Sequence, residues 1–186
     1  RDIIVGDYVE PSPCIKIYRK NIVNNLRMPI NIKINEDVLF NFYAFVNSKK
    51  SVYEDLPFYH YILRKGSAAT SKINQNKLFD PVRVRKEIFE YSLKNLDNEI
   101  QSVAYSSYLN SIINLYRVVS NSKLKEYKEE SFILKGQIKE IKGKFMLSKR
   151  IKTERFLFFH CTGLLMFTYK IYDKLLSKNT NKYEVK

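Results

Sequence analysis

The sequence predicts a mainly α-helical chain, with a few short strands confined to the first 71 residues. Three observations carry this. Apolar residues recur at helical spacing over long stretches beyond Ser71. Gly and Pro number only 5 each, too few for a sandwich full of tight turns. Hydrophobic residues make up 45% of the 186 and aromatics 14%, enough for a packed core and too many for a disordered chain.

Along the first 71 residues the pieces are short. The apolar runs "DIIV" and "CIKIY" predict strands, and "YRKNIVNNL" a short helix or turn. At "INEDVLFNFYAFV", Asn35 is read as a helix N-cap, with Glu36 and Asp37 in the first turn, where acids interact favourably with the helix dipole. Val38, Leu39, Phe42, Phe45 and Val46 follow on one face, and "NSKK" ends the run. "FYHYIL", residues 58 to 63, follows Pro57 and predicts a strand, with "RKGS" as the turn after it.

Past Ser71 the pattern is helical. Asp80 and Pro81 read as an N-cap and a first helical residue, ahead of a stripe of Val84, Ile88, Tyr91 and Leu96. The cleanest periodicity is Tyr105, Tyr108, Leu109, Ile112, Ile113, Tyr116 and Val119, broken by "SNSK". A Lys/Glu-rich segment with Phe132, Ile138, Ile141 and Phe145 predicts a weaker helix, interrupted by Gly136 and Gly143. The last strong element is "ERFLFFHCTGLLMFTYKIYDKLL". Its uncharged run from Phe156 to Tyr169 falls short of the ~20 residues that cross a bilayer. Lysines and arginines flank it, which suits a core helix or one lying at a membrane surface. The tail "SKNTNKYEVK" is expected to fray.

The formal net charge of +14 favours anionic partners: nucleic acid, acidic lipid or a phosphate-bearing substrate. The charge is spread along the chain and no recognition helix, RNP or zinc pattern accompanies it, which argues against nucleic acid. Cys14 and Cys161 form neither a disulfide framework nor a metal-binding spacing, and a reducing cytosol is the simplest setting. No charged-then-apolar leader is visible at Arg1, so no signal peptide is expected.

One series of motifs adds to this reading. Lys16, Ile17, Tyr18 and Arg19 form a Lys-hydrophobic-Tyr-Arg block. The Glu36–Asp37 pair follows, with Phe40 shortly after, and then Tyr59, Tyr61, Arg64, Gly66 and Ser67 as a Tyr-x-Tyr pair and an Arg-x-Gly-Ser turn. In this order and at these distances the blocks resemble the second half of the catalytic domain of a family 2 glycosyltransferase, an α/β GT-A fold. The likeness is continuous from about Pro11 to Ser71 and looser beyond. It implies an acceptor-side portion over residues 1–71 and a helical C-terminal region over 72–186.

The resemblance implies a chemistry. An inverting transfer is a single displacement at the anomeric carbon of a nucleotide-sugar, and the attacking hydroxyl needs a carboxylate to take its proton. In the family the second acid of the pair is that base, which falls here on Asp37, with Glu36 positioning it or contacting the acceptor. Arg64, Ser67, Lys16 and Tyr61 become substrate contacts, an Arg fork suiting diphosphate oxygens, and His60 a candidate metal ligand. The family's Mn or Mg ion is held by an Asp-x-Asp motif, and these 186 residues contain none. The ion and the nucleotide-binding half are therefore expected outside this chain, which alone is expected to be inactive. Bacterial members with basic helical tails build surface polysaccharide on glycan or lipid-linked acceptors, peripherally at the cytoplasmic face of the membrane. The competing reading is a basic helical module without catalysis, at a membrane surface or on nucleic acid.

Overall fold

The computed structural model describes residues 1–6, 9–54, 56, 59, 60, 62, 73–121, 124–141 and 143–177. Eight α-helices are found among them: α1 (Asp2–Val5), α2 (Lys20–Val23), α3 (Glu36–Val46), α4 (Gln75–Asn95), α5 (Asn98–Asn121), α6 (Lys128–Lys139), α7 (Lys149–His160) and α8 (Thr162–Ser177). Single 3-10 turns occupy Pro13–Ile15 and Lys125–Tyr127. No strand occurs among the described residues.

The mainly α expectation holds, and among the described residues the short strands are not found. "DIIV" is a helical turn closed by Gly6 at φ 77°, and "CIKIY" is a 3-10 turn running into extended backbone with no ladder partner among the described residues. A strand is held by hydrogen bonds to another strand, and an apolar run of four or five residues carries no information on whether one is at hand. In "FYHYIL", Phe58, Tyr61 and Leu63 lie outside the described residues, and Tyr59, His60 and Ile62 are not in a strand.

Packing divides the chain into two compact units, Arg1–Ser107 and Tyr108–Lys186, with the division inside α5. The resemblance ends earlier, near Ser71, because it follows motifs rather than packing.

In the first unit α3 packs on α1 and on α4. Val38, Leu39 and Phe42 of α3 are buried with Ile4 of α1 and Phe79, Val84 and Ile88 of α4. Phe42 and Tyr43 each meet the Tyr91 ring edge-on, at 5.6 and 5.4 Å between centroids, an arrangement that the ring quadrupoles favour. The stripe predicted around Val84 and Ile88 is thus core, but its helix begins earlier than expected. Asn74 caps α4, its side chain accepting from Lys77 N at 3.0 Å. Asp80 lies inside the helix, fully buried, followed by Pro81. Its carboxylate is an acceptor for a different segment: Oδ2 takes the backbone N–H of Lys33 at 2.8 Å and of Ile34 at 3.3 Å, and Oδ1 meets Arg83 at 3.1 Å.

In the second unit the predicted stripe of α5 is core from Tyr108 through Leu109, Ile112, Ile113 and Val119, joined by Ile138, Phe158 and Leu165. Arg117 donates from Nε to Asp173 at 2.9 Å and from a second nitrogen to its other oxygen, and lies 5.0 Å from the Tyr169 ring centroid. The weaker helix is α6, and it tolerates Gly136 within it but stops before Ile141 and Gly143. The last apolar element is two helices. Cys161 leaves helical geometry at φ −134° and ψ 50°, and the Thr162 hydroxyl donates to the Phe158 carbonyl at 2.6 Å. Thr and Gly at 162 and 163 are weak helix formers, which makes this the cheapest place to break. Helices α7 and α8 pack against each other. Among the described residues, no helix is long and apolar enough to cross a membrane.

Candidate active site

Helix α3 begins at Glu36, so both acids occupy its first turn as predicted. The cap does not. Asn35 is the N-cap residue by position but sits in the left-handed region at φ 66°, and its side chain makes no capping hydrogen bond. Asn tolerates that conformation better than most residues, and it turns the chain sharply into the helix. Asp37 takes over part of the capping role: its Oδ1 accepts the Val38 N–H at 2.8 Å. A carboxylate at this place lies where first-turn amides and the helix dipole favour negative charge.

The chain segment before α2 is folded toward this acid. Lys16 Nζ donates to the carbonyl of Ser12 at 2.7 Å and to that of Glu10, so its ammonium is fixed by its own loop. Burial lowers the Lys16 pKa, opposed by the charges of Glu10, Asp37 and Cys14. Two residues on, the Tyr18 hydroxyl donates to Asn41 Oδ1, and Asn41 Nδ2 donates to the Pro11 carbonyl. Asn41 is fully buried in α3, so this relay ties the Lys16–Arg19 block to the helix through a satisfied polar network. The Tyr18 ring also meets Phe40 edge-on at 5.9 Å. Burial pushes the Tyr18 phenol up to about 12, with Asp37 and Cys14 adding to it.

A third residue comes from α4. The Arg85 guanidinium is largely buried, and its Nη1 has no hydrogen-bond partner. Burial lowers its pKa, and the charge of Asp37 acts in the opposite direction. Lys16, Tyr18 and Arg85 thus all lie within the electrostatic reach of one carboxylate. Helix α4 is held in this place by Asp80, whose bonds to Lys33 and Ile34 fix the segment that leads into α3.

Of the residues singled out in the sequence, the structure brings Lys16, Glu36 and Asp37 into one region. His60 is exposed. Tyr61, Arg64 and Ser67 lie outside the described residues. Arg85 and Asn41 were not legible beforehand. Arg85 is one basic residue in "RVRKE", and Asn41 is a lone amide in an apolar run. Only the packing of α4 on α3 and the fold of the Pro11–Arg19 segment give them meaning. Among the described residues, no three His, Cys, Asp or Glu side chains cluster as a metal ligand set.

No protein-family model, curated protein or solved structure matches this chain.

Proposed function

We propose that this chain carries the acceptor side of an inverting glycosyltransferase and that Asp37 is its general base. The observation that supports the reading most is the placement of Asp37. It stands in the first turn of α3, with a cation from the Pro11–Arg19 segment and one from α4 in its field.

In this reading the acceptor hydroxyl gives its proton to Asp37 as its oxygen attacks the anomeric carbon of a nucleotide-sugar. The bond to the nucleotide diphosphate breaks on the opposite face, and the anomeric configuration inverts. A base on a helix terminus is held rigidly, which in-line attack requires. Lys16 and Tyr18 hold the acceptor wall through bonds that are already satisfied, so they add shape rather than proton transfer. Glu36 beside Asp37 contacts the acceptor. Arg64 and Ser67 keep the donor-phosphate role that the resemblance gives them. The acceptor is a glycan or a lipid-linked intermediate at the cytoplasmic face of the membrane.

The test is Asp37→Asn in the full-length protein, assayed for transfer and for nucleotide-sugar binding. The amide keeps the size of the side chain and an oxygen for the Val38 N–H, so folding survives. Transfer is expected to be lost and donor binding retained. Near-wild-type transfer would leave Asp37 as a helix-terminal acid only. The 186-residue chain alone is expected to turn over no sugar nucleotide, since it lacks an Asp-x-Asp motif.

A further inference from the structure

Helix α8 presents an apolar face that its own unit leaves uncovered. Leu164, Phe167, Ile171 and Leu175 are each between 46% and 60% exposed. At 3.6 residues per turn these four fall within an arc of about 80°. Leu165, roughly a quarter turn away, is buried. The uncovered face is therefore distinct from the face that makes the core. Lys170 and Lys174 border the stripe on one edge, and both are exposed.

The charges of α7, α8 and the segment before them are one-sided in sequence. Residues 144–177 hold Lys144, Lys149, Arg150, Lys152, Arg155, Lys170 and Lys174, against Glu154 and Asp173 alone. Both acids are already paired: Glu154 accepts from Arg150 at 3.0 Å, and Asp173 is held by Arg117. The α7–α8 pair thus combines an exposed apolar stripe with an excess of basic over acidic residues.

We propose that the α7–α8 pair docks on an anionic lipid surface, with the α8 stripe inserted at the headgroup–acyl boundary and the lysines and arginines against acidic headgroups. An amphipathic helix with this division of faces gains from both terms at a membrane interface. Charge complementarity selects this occupant over a second copy of the chain. Two such stripes brought together would place the bordering lysines near one another, and like charges at a contact are unfavourable. It also selects lipid over nucleic acid, because a phosphate backbone engages the cations and leaves Leu164 and Phe167 in water. The location at a membrane comes from the transferase reading, but the face does not. A chain with no transferase activity would bind in the same way, so loss of vesicle binding and loss of Asp37-dependent transfer are separate results.

The experiment is co-sedimentation of the 186-residue chain with phosphatidylcholine vesicles, with and without phosphatidylglycerol, at low and high salt. The chain is expected on the phosphatidylglycerol vesicles at low salt, with a weaker remainder at high salt held by the stripe. Lys170→Gln and Lys174→Gln are each expected to weaken binding about fivefold. Phe167→Glu with Ile171→Glu is expected to weaken it more than tenfold at either salt, since an inserted side chain is replaced by a charge. These positions are exposed, so folding is retained, and circular dichroism checks it. The chain contains no Trp, so Phe167→Trp supplies a single reporter whose emission shifts to the blue on anionic vesicles. Absence of binding at low salt would overturn the proposal. So would binding that the Phe167→Glu/Ile171→Glu variant leaves unchanged, since the chain would then act as a polycation for any polyanion. A stripe variant that changes the oligomeric state while vesicle binding persists would assign the face to a second copy.

Discussion

Asp80, buried in the second turn of α4, accepts the backbone N–H of Lys33 at 2.8 Å. The same oxygen accepts from Ile34 at 3.3 Å, so one carboxylate of α4 fixes the segment that enters α3 and carries Glu36 and Asp37. Asp80→Ala leaves both amides and Arg83 without this partner. The expected cost is about 3 kcal/mol, read from urea unfolding, with a smaller loss for Asp80→Asn, which keeps one acceptor. On the transferase reading proposed above, Asp80→Asn should also lower transfer by loosening the segment that carries Asp37. Wild-type stability in Asp80→Ala would show that the clamp is not needed to hold the segment.

Arg85 offers a separation of stability from function. A largely buried guanidinium with an unpartnered nitrogen stabilises a fold poorly, and an apolar side chain of similar length does as well. Arg85→Met is therefore expected to change unfolding stability by no more than about 1 kcal/mol, in either direction. On the transferase reading proposed above, transfer should nevertheless fall, because a cation in the field of Asp37 is gone. Loss of stability and activity in parallel would make Arg85 a structural residue.

Tyr18 predicts a pH dependence. Its phenol rises from 10.0 to about 12 in the folded chain, so folding favours the protonated form. The stability from this group is complete below the unfolded value, near pH 10, and is lost as pH rises through about 12. Tyr18→Phe removes the donor to Asn41 and is expected to cost about 1 kcal/mol at neutral pH. The gap between wild type and variant should narrow as pH approaches the folded value. A constant gap across that range would disconnect the phenol from the effect.

Phe158 anchors the second unit. It is fully buried, meets Tyr116 edge-on at 5.4 Å, and lies under the Lys135 ammonium at 4.8 Å. Lys135 also donates to Thr162 and sits 5.4 Å from the Tyr116 ring, while burial lowers its pKa. Phe158→Ala is expected to cost about 3–5 kcal/mol through the cavity it leaves. Its exposed neighbour Phe156 should tolerate Ala with a change within about 0.5 kcal/mol. Equal effects at the two positions would contradict the buried face assigned to α7.

The sequence by itself determined the helices with clean stripes and the place of the acids. Val84 and Ile88 in α4, and Tyr108, Leu109, Ile112, Ile113 and Val119 in α5, are buried where their spacing put them, because a helix makes its hydrogen bonds within itself and its apolar face follows from local order. Glu36 and Asp37 fall in the first turn of α3 for the same reason. The tertiary structure decided everything that depends on a distant partner. "DIIV" and "CIKIY" suit strands in composition, but no described strand lies alongside them, and the first closes into a helical turn. Asp80 and Pro81 look like a helix start, yet Asn74 caps α4 and Asp80 bonds to residues 46 and 47 positions earlier. Which of Phe156, Phe158 and Phe159 is buried rests on Tyr116 and Lys135, far off in sequence. The grouping of Lys16, Tyr18 and Arg85 around Asp37 is of this second kind, because electrostatic reach is a matter of distance in space, and spacing along the chain does not encode it.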